Sequence, residues 1–194
     1  MASATATLNR RGTSEIYIGG AGDTRTRLVA AYAEARQRDF AHEAHHDAHY
    51  FPHYALRRIL NLARQHADAG RTLILVGHSW GGDTALRVLK ALQPRRVDLL
   101  VCVDPVPKSR LNPPPTPRNA RRIIHVDARP SHPNRSDQVK EMGQWFGGTL
   151  HRRLSSADTR IVADLNHFAF AQMMLAPGED GLSAAHHINE LDSP

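Results

Sequence analysis

The chain predicts an α/β fold. Its core would be a mostly parallel central sheet of about five to six strands, with helices on both faces and no large lid domain. Three observations carry this. Short apolar runs alternate with helix-period segments, the pattern of successive β-α-β units. The pentapeptide Gly77-His78-Ser79-Trp80-Gly81 separates the apolar run Leu73–Val76 from a periodic segment, Thr84–Leu92, so its serine falls at a strand-to-helix turn. Finally, Gly19-Gly20, Ser79, Asp104, Asp127 and His167 all fall at or just past the ends of expected strands. Ligands of such sheets bind at the carboxyl ends of the strands.

Glu15–Ile18 reads as a short strand running into Gly19-Gly20-Ala21-Gly22. Asp23 or Thr24 can cap the following helix, expected to run to about Arg38 with Leu28, Ala31, Tyr32 and Ala35 on one face. Residues Phe40–Phe51 are ambiguous between a polar-flanked strand and a loop. After Pro52 comes a helix with Leu56, Ile59, Leu60 and Ala63 on one stripe, stopped by Gly70. A strand at Thr72–Val76, the serine turn and a helix ended by Pro94 follow, then a strand at Val97–Val103 closed by Asp104-Pro105. The proline-rich stretch Pro105–Pro117 can be neither helix nor central strand. Arg122–Val126 reads as a strand ending at Asp127. A helix is expected over Asp137–Phe146, with Val139, Met142 and Trp145 near one face. Arg160–Ala163 is the last strand, followed by the Asn166-His167 turn, a helix over Phe168–Leu175 and one more short helix in the tail.

At 194 residues the chain fits a single domain, expected over 15–194 behind a flexible segment, 1–14. The single cysteine, Cys102, sits in the apolar run Leu99–Val103 and reads as core, so no disulfide forms within the chain. The net charge is +6, almost all of it arginine, in scattered pairs such as Arg57-Arg58 and Arg121-Arg122. No basic stripe interleaved with aromatics appears, which argues against nucleic acid. A solvated arginine-rich surface accounts for the charge, with weak association to an anionic membrane surface as the alternative. Neither a signal-peptide-length apolar stretch nor a run of about 18 apolar residues is present. A cytoplasmic location is the default expectation, with a signal-independent secretion route left open. No cofactor is expected.

A serine hydroxyl becomes a nucleophile only with a base in reach, and that base needs an orienting carboxylate. The chain order Ser79, aspartate, His167 fits this arrangement on an α/β sheet. Of 13 histidines, His167 is favoured because it follows the last strand; His125 lies within a strand, and His186 and His187 lie in the tail. For the acid, Asp104 is favoured because Pro105 fixes its turn, while Asp127 is the alternative and has Arg129 as a neighbour. An oxyanion hole would use the backbone N–H of Trp80 with that of Gly20 or Ala21. The competing reading of Gly19–Gly22 is a plain turn or a phosphate loop, but a phosphate loop would want a longer glycine fingerprint or a lysine.

His42, His45, His46, His49 and His53 crowd a short span with Glu43 and Asp47. On a helix four of them would share a face that could ligate zinc, whereas a strand would split them between faces. No metal site is expected here. A polar strand end beside the active site is the favoured reading, with one histidine able to touch substrate.

Together, Gly77–Gly81, Val103-Asp104-Pro105-Val106 and Asn166-His167-Phe168 resemble the α/β-hydrolase superfamily over about Glu15–Leu175. An acid after the first strand beyond the nucleophile is similar to lipases and thioesterase domains. Adding Ile18–Asp23, the pattern also loosely resembles bacterial lipase-like effector proteins. The resemblance implies a serine esterase, lipase or thioesterase working through an acyl-enzyme. Acyltransferase or phospholipase chemistry with the same residues, or a non-catalytic binding module, are the alternatives. The absence of a lid-sized insertion predicts an open, shallow site.

Overall fold

The computed structural model describes residues 12–42, 45–116, 118–150, 154–155 and 157–191. Residues 1–11 of the expected flexible segment lie outside them, but Thr13 and Ser14 already belong to the first strand.

Among the described residues, six parallel strands form one sheet: β1 (Thr13–Gly19), β2 (His46–Pro52), β3 (Thr72–His78), β4 (Val97–Val103), β5 (Ala120–Ala128) and β6 (Thr159–Ala163), in the spatial order β2-β1-β3-β4-β5-β6. The chain steps outward from β1 to β2, then returns to lay β3 on the other side of β1 and proceeds away through β6. The reversal makes the β1–β3 boundary the switch point where a crevice opens at the strand carboxyl ends. Gly20 and Ser79 follow directly from those two strands.

Among the described residues, seven helices complete the fold: α1 (Asp23–Thr26), α2 (Leu28–Asp39), α3 (Leu56–Asp68), α4 (Trp80–Leu92), α5 (Arg135–Gly147), α6 (Phe170–Leu175) and α7 (Ala184–Glu190). One face of the sheet packs Tyr17, Val76 and Val101 against Val29 and Ala33 of α2, Phe170 and Met173 of α6 and Ile188 of α7. The other packs Ile16, Leu75 and Leu100 against Ile59 and Ala63 of α3 and Leu86 and Leu89 of α4. Covered on both faces, β1 and β3 are buried along their whole length, which is why β3 reads as an unbroken apolar run. The edge strand β2 is only half-buried and carries His46, Asp47 and His49, so its polar sequence could not be told from a loop.

The single helix expected from Asp23 to Arg38 is broken. Arg27 takes φ 56° between α1 and α2. Asp23 still caps, but its carboxylate accepts from Val29 N (3.0 Å) and Ala30 N (3.3 Å), at the start of α2 rather than of α1. The fully buried residues of α2 are Val29, Ala30 and Ala33, whereas Leu28, Tyr32 and Ala35 of the expected face are half-buried and Ala31 is exposed. In α3 the buried stripe is Ile59, Ala63 and His66, with Leu56 and Leu60 at its half-buried margins.

A charged cluster lies inside the first layer. Glu15, fully buried on β1, accepts from Arg36 (2.5 and 3.0 Å) and Tyr17 (2.6 Å) and pairs with His46 Nε2 at 2.9 Å. Burial alone would raise its carboxyl, but the bonds from His46 and Arg36 outweigh burial and hold it below its ordinary range.

Candidate active site

The turn after β3 puts Ser79 at φ 53°, ψ −125°, a conformation a non-glycine residue adopts only when its surroundings enforce it. The enforcement is visible. Ser79 N donates to Val103 O of the neighbouring strand, and its carbonyl accepts from Gly82 N and Val106 N. A Cβ on Gly81 would collide with the carbonyl of Ile18, and one on Gly77 would lie 2.5 Å from the carbonyl oxygen of Gly81. Only glycines let α4 start this close to β1 and β3, which is the physical content of the G-x-S-x-G pattern.

Three side chains from different strand ends meet here. His167 Nε2 lies 3.1 Å from Ser79 Oγ, and His167 Nδ1 lies 2.6 Å from Asp104 Oδ2. All three residues are buried, with Ser79 opening into a pocket. Asp104, at φ 41° just past β4, is held from its other oxygen: Oδ1 accepts from Ala128 N (3.1 Å) and from Lys140 Nζ (2.6 Å). Burial would raise the Asp104 carboxyl, yet the His167 bond and the Lys140 ammonium prevail and keep it below the usual carboxylate range. It is therefore ionised at neutral pH.

Of the two aspartates left open by the sequence, Asp104 carries the bond to His167. Asp127 instead takes Arg129 Nε (2.9 Å) and Arg160 Nη2 (3.0 Å) on its Oδ2. Ala21 and Trp80 line the pocket, and Gly20 sits tight against the serine, where an added Cβ would lie 2.7 Å from Ser79 Cβ. Trp80 is the first residue of α4, where a backbone N–H has no partner within the helix.

His167 is positioned through its backbone. Its N–H donates to Asp137 Oδ1 (2.9 Å), and its carbonyl accepts from His78 Nε2 (2.9 Å). Burial, aided by the neighbouring His167, pushes His78 down to about 3, so its ring is neutral and carries its proton on the nitrogen facing that carbonyl. Asp137 also closes a capping box with Asn134 at the start of α5. The N-x-x-D spacing of that box is readable in the sequence. No sequence signal marks Lys140, which comes from α5, the helix that follows β5.

The expectation of a shallow site is corrected. The site is a pocket of about 270 Å³. Helix α5 supplies Val139, Met142, Gly143 and Phe146 to its lining, facing Leu28 and Val106, with Phe168 beside His167. Gly143 allows this approach, since a Cβ there would lie 2.9 Å from Val106. Thus an ordinary crossover helix walls the site where no lid insertion exists. Val139, Met142, Trp145 and Phe146 remain exposed on α5.

The histidine-rich span is dispersed by the strand. His46 turns to Glu15, His49 to Asp47, and the His53 ring packs edge-on against Trp80 at 5.1 Å between centroids. Glu43 lies outside the described residues. None of these histidines lines the pocket. His125, inside β5, is buried, and His186 and His187 sit on α7.

A family model of the alpha/beta hydrolase fold matches residues 20–170. The chain therefore belongs to the alpha/beta hydrolase fold family, and that membership supports a hydrolase. Among solved structures, it is similar to an alpha/beta-superfamily protein of Xanthomonas campestris pv. campestris proposed to be a hydrolase. The identity is 19%, with 82% of this chain and 91% of that chain covered and a TM-score of 0.49. It is also similar to a protein of unknown function from Agrobacterium tumefaciens, likewise proposed to be an alpha/beta hydrolase. There the identity is 13%, the coverage 84% and 80%, and the TM-score 0.47. No curated protein matches the chain significantly. No helix among the described residues is long and apolar enough to cross a membrane.

Proposed function

We propose that the protein is a serine hydrolase that cleaves a carboxylic ester or thioester through an acyl-enzyme on Ser79. The observation that carries this reading is the unbroken hydrogen-bonded chain Ser79–His167–Asp104 opening onto a mostly apolar pocket.

His167 Nε2 takes the Ser79 proton as Oγ attacks the substrate carbonyl, and Asp104 stabilises the imidazolium that forms. The oxyanion receives the N–H of Trp80 and that of Ala21 or Gly20, each such donor being worth about 10²–10³ in turnover. The tetrahedral species collapses as His167 protonates the leaving alcohol or thiol, and the acyl group stays on Ser79. A water then gives its proton to His167, attacks the acyl carbonyl and releases the acid, returning the proton to Ser79.

Val106, Val139, Met142, Phe146 and Phe168 offer the acyl group an apolar seat. The volume, just below the roughly 300–1,000 Å³ usual for small-molecule sites, favours a short or medium acyl chain.

A fluorophosphonate probe tests this directly. Stoichiometric labelling at Ser79, lost in Ser79→Ala, is the expected result, together with turnover of p-nitrophenyl acyl esters. A folded protein that resists the probe and turns over no acyl ester refutes the reading.

A further inference from the structure

A second cluster of chemistry-bearing side chains lies away from Ser79. Alternation along β2 sends Asp47 and His49 to the face that α3 covers, and the last turns of α3 bring His66 beside them. Each of the three offers one ligand atom, and these atoms lie within 4.8 Å of one another. His49 Nε2 is 2.9 Å from Asp47 Oδ1, and the His49 and His66 rings are 5.8 Å apart between centroids.

One further observation distinguishes this group from a chance polar cluster. His66 is 93% buried, yet its Nδ1, sealed from solvent, has no hydrogen-bond partner. A buried imidazole nitrogen left unpaired costs free energy unless something binds it. Asp47 is also prepared on one side only. Arg71 Nη1 takes Oδ2 at 2.5 Å, which fixes the carboxylate and leaves Oδ1 toward the histidines.

We propose that Asp47, His49 and His66 form a binding site for a divalent transition-metal ion of the Zn²⁺ type. Two imidazoles and one carboxylate oxygen are donors for zinc, nickel or copper, whereas calcium and magnesium require a shell of oxygens. Zinc bonds of about 2.0–2.2 Å need the three atoms roughly 3.3–3.6 Å apart in a tetrahedron. The cluster, whose atoms lie within 4.8 Å of one another, reaches that by closing its widest gap by at most about 1.5 Å and opening the 2.9 Å Asp47–His49 pair by about 0.5 Å. The part-exposed His49 and Asp47 leave the fourth position to water.

The role is structural. His49 pairs with Ile16, which pairs with Leu75, and Leu75 stands four residues before Ser79 on β3. An ion here clamps the half-buried edge strand β2 to α3 and is remote from the reacting serine.

The test uses tag-free, chelator-treated protein titrated with ZnCl₂ by calorimetry, with CoCl₂ absorption as a second readout. One ion per chain, a Tm raised by zinc and an intense tetrahedral cobalt spectrum are expected. His49→Ala and His66→Gln should each weaken zinc at least about tenfold and abolish the cobalt signal. Should His66→Gln not fold, His49→Ala and Asp47→Asn decide, since both side chains are partly exposed. Absence of zinc binding to the native protein overturns the proposal, as does equal binding by native protein and His49→Ala. Fluorophosphonate labelling of Ser79 should be indifferent to the metal, so this site and the hydrolase reading stand or fall separately.

Discussion

Asp104→Asn should lower turnover by roughly 10⁴, the scale reached when a triad carboxylate loses its charge and the histidine takes the wrong tautomer. The surroundings of Asp104 determine which way the amide points. At Oδ1 the carboxylate meets two donors, Ala128 N–H and the Lys140 ammonium, so the asparagine must place its oxygen there. Its NH₂ then replaces Oδ2, 2.6 Å from His167 Nδ1. A donor there forces His167 to accept at Nδ1 and hold its proton on Nε2, where it cannot receive the proton of Ser79. At about 1.4 kcal/mol per tenfold, 10⁴ corresponds to about 5.5 kcal/mol of barrier. The assay is p-nitrophenyl ester hydrolysis at pH 7.5 alongside the rate of fluorophosphonate labelling. Both should fall together, because acylation needs the same base, while the circular dichroism spectrum stays native. A variant within about tenfold of native turnover refutes the argument, because 10⁴ is the loss the wrong tautomer causes. So does a loss that appears in Asp127→Asn instead.

Three further outcomes are expected. Asp127→Asn weakens the partners of Arg129 and Arg160 and should cost about 1–3 kcal/mol in urea unfolding, leaving turnover near native. Between its ordinary 6.5 and about 3, His78 binds fewer protons folded than unfolded. Its contribution is therefore fully present above pH 6.5 and is lost as pH falls toward 3; unfolding free energy measured at pH 7, 5 and 4 should decline, and His78→Gln should flatten the decline. Phe146→Asp removes apolar lining from a side chain already exposed, so the fold should hold. Losing contact with about two methylenes, at about 0.8 kcal/mol each, should reduce kcat/KM for a medium-chain ester roughly tenfold while sparing the acetate.

What could be read from the chain is tied to local rules. Strand β3, the tight turn at Ser79 and the proline loop are announced by apolar runs, glycines and prolines whose backbone consequences are short-range. The positions of Asp104 and His167 followed because strand ends converge on one edge of a parallel sheet. Sequence misled where local signals were weak or where a neighbour changed their meaning. The helix through Asp23 breaks because Arg27 adopts a left-handed conformation that no residue type there demands. Strand β2 hid because an edge strand need not be apolar on both faces. Helix α5 is legible as a helix, but its place over the pocket, which turns an expected shallow site into a walled one, depends on contacts with Val106 and Asp104.

Residue order alone determined the alternation of strands and helices and the strained serine turn, because both follow from hydrophobic periodicity and backbone sterics within a few residues. The tertiary structure placed Asp104 and not Asp127 against His167, brought Lys140 to Asp104, and joined His66 to Asp47 and His49. Those choices are contacts between residues up to 63 positions apart, and such contacts depend on how the strands order in the sheet, which no local pattern encodes.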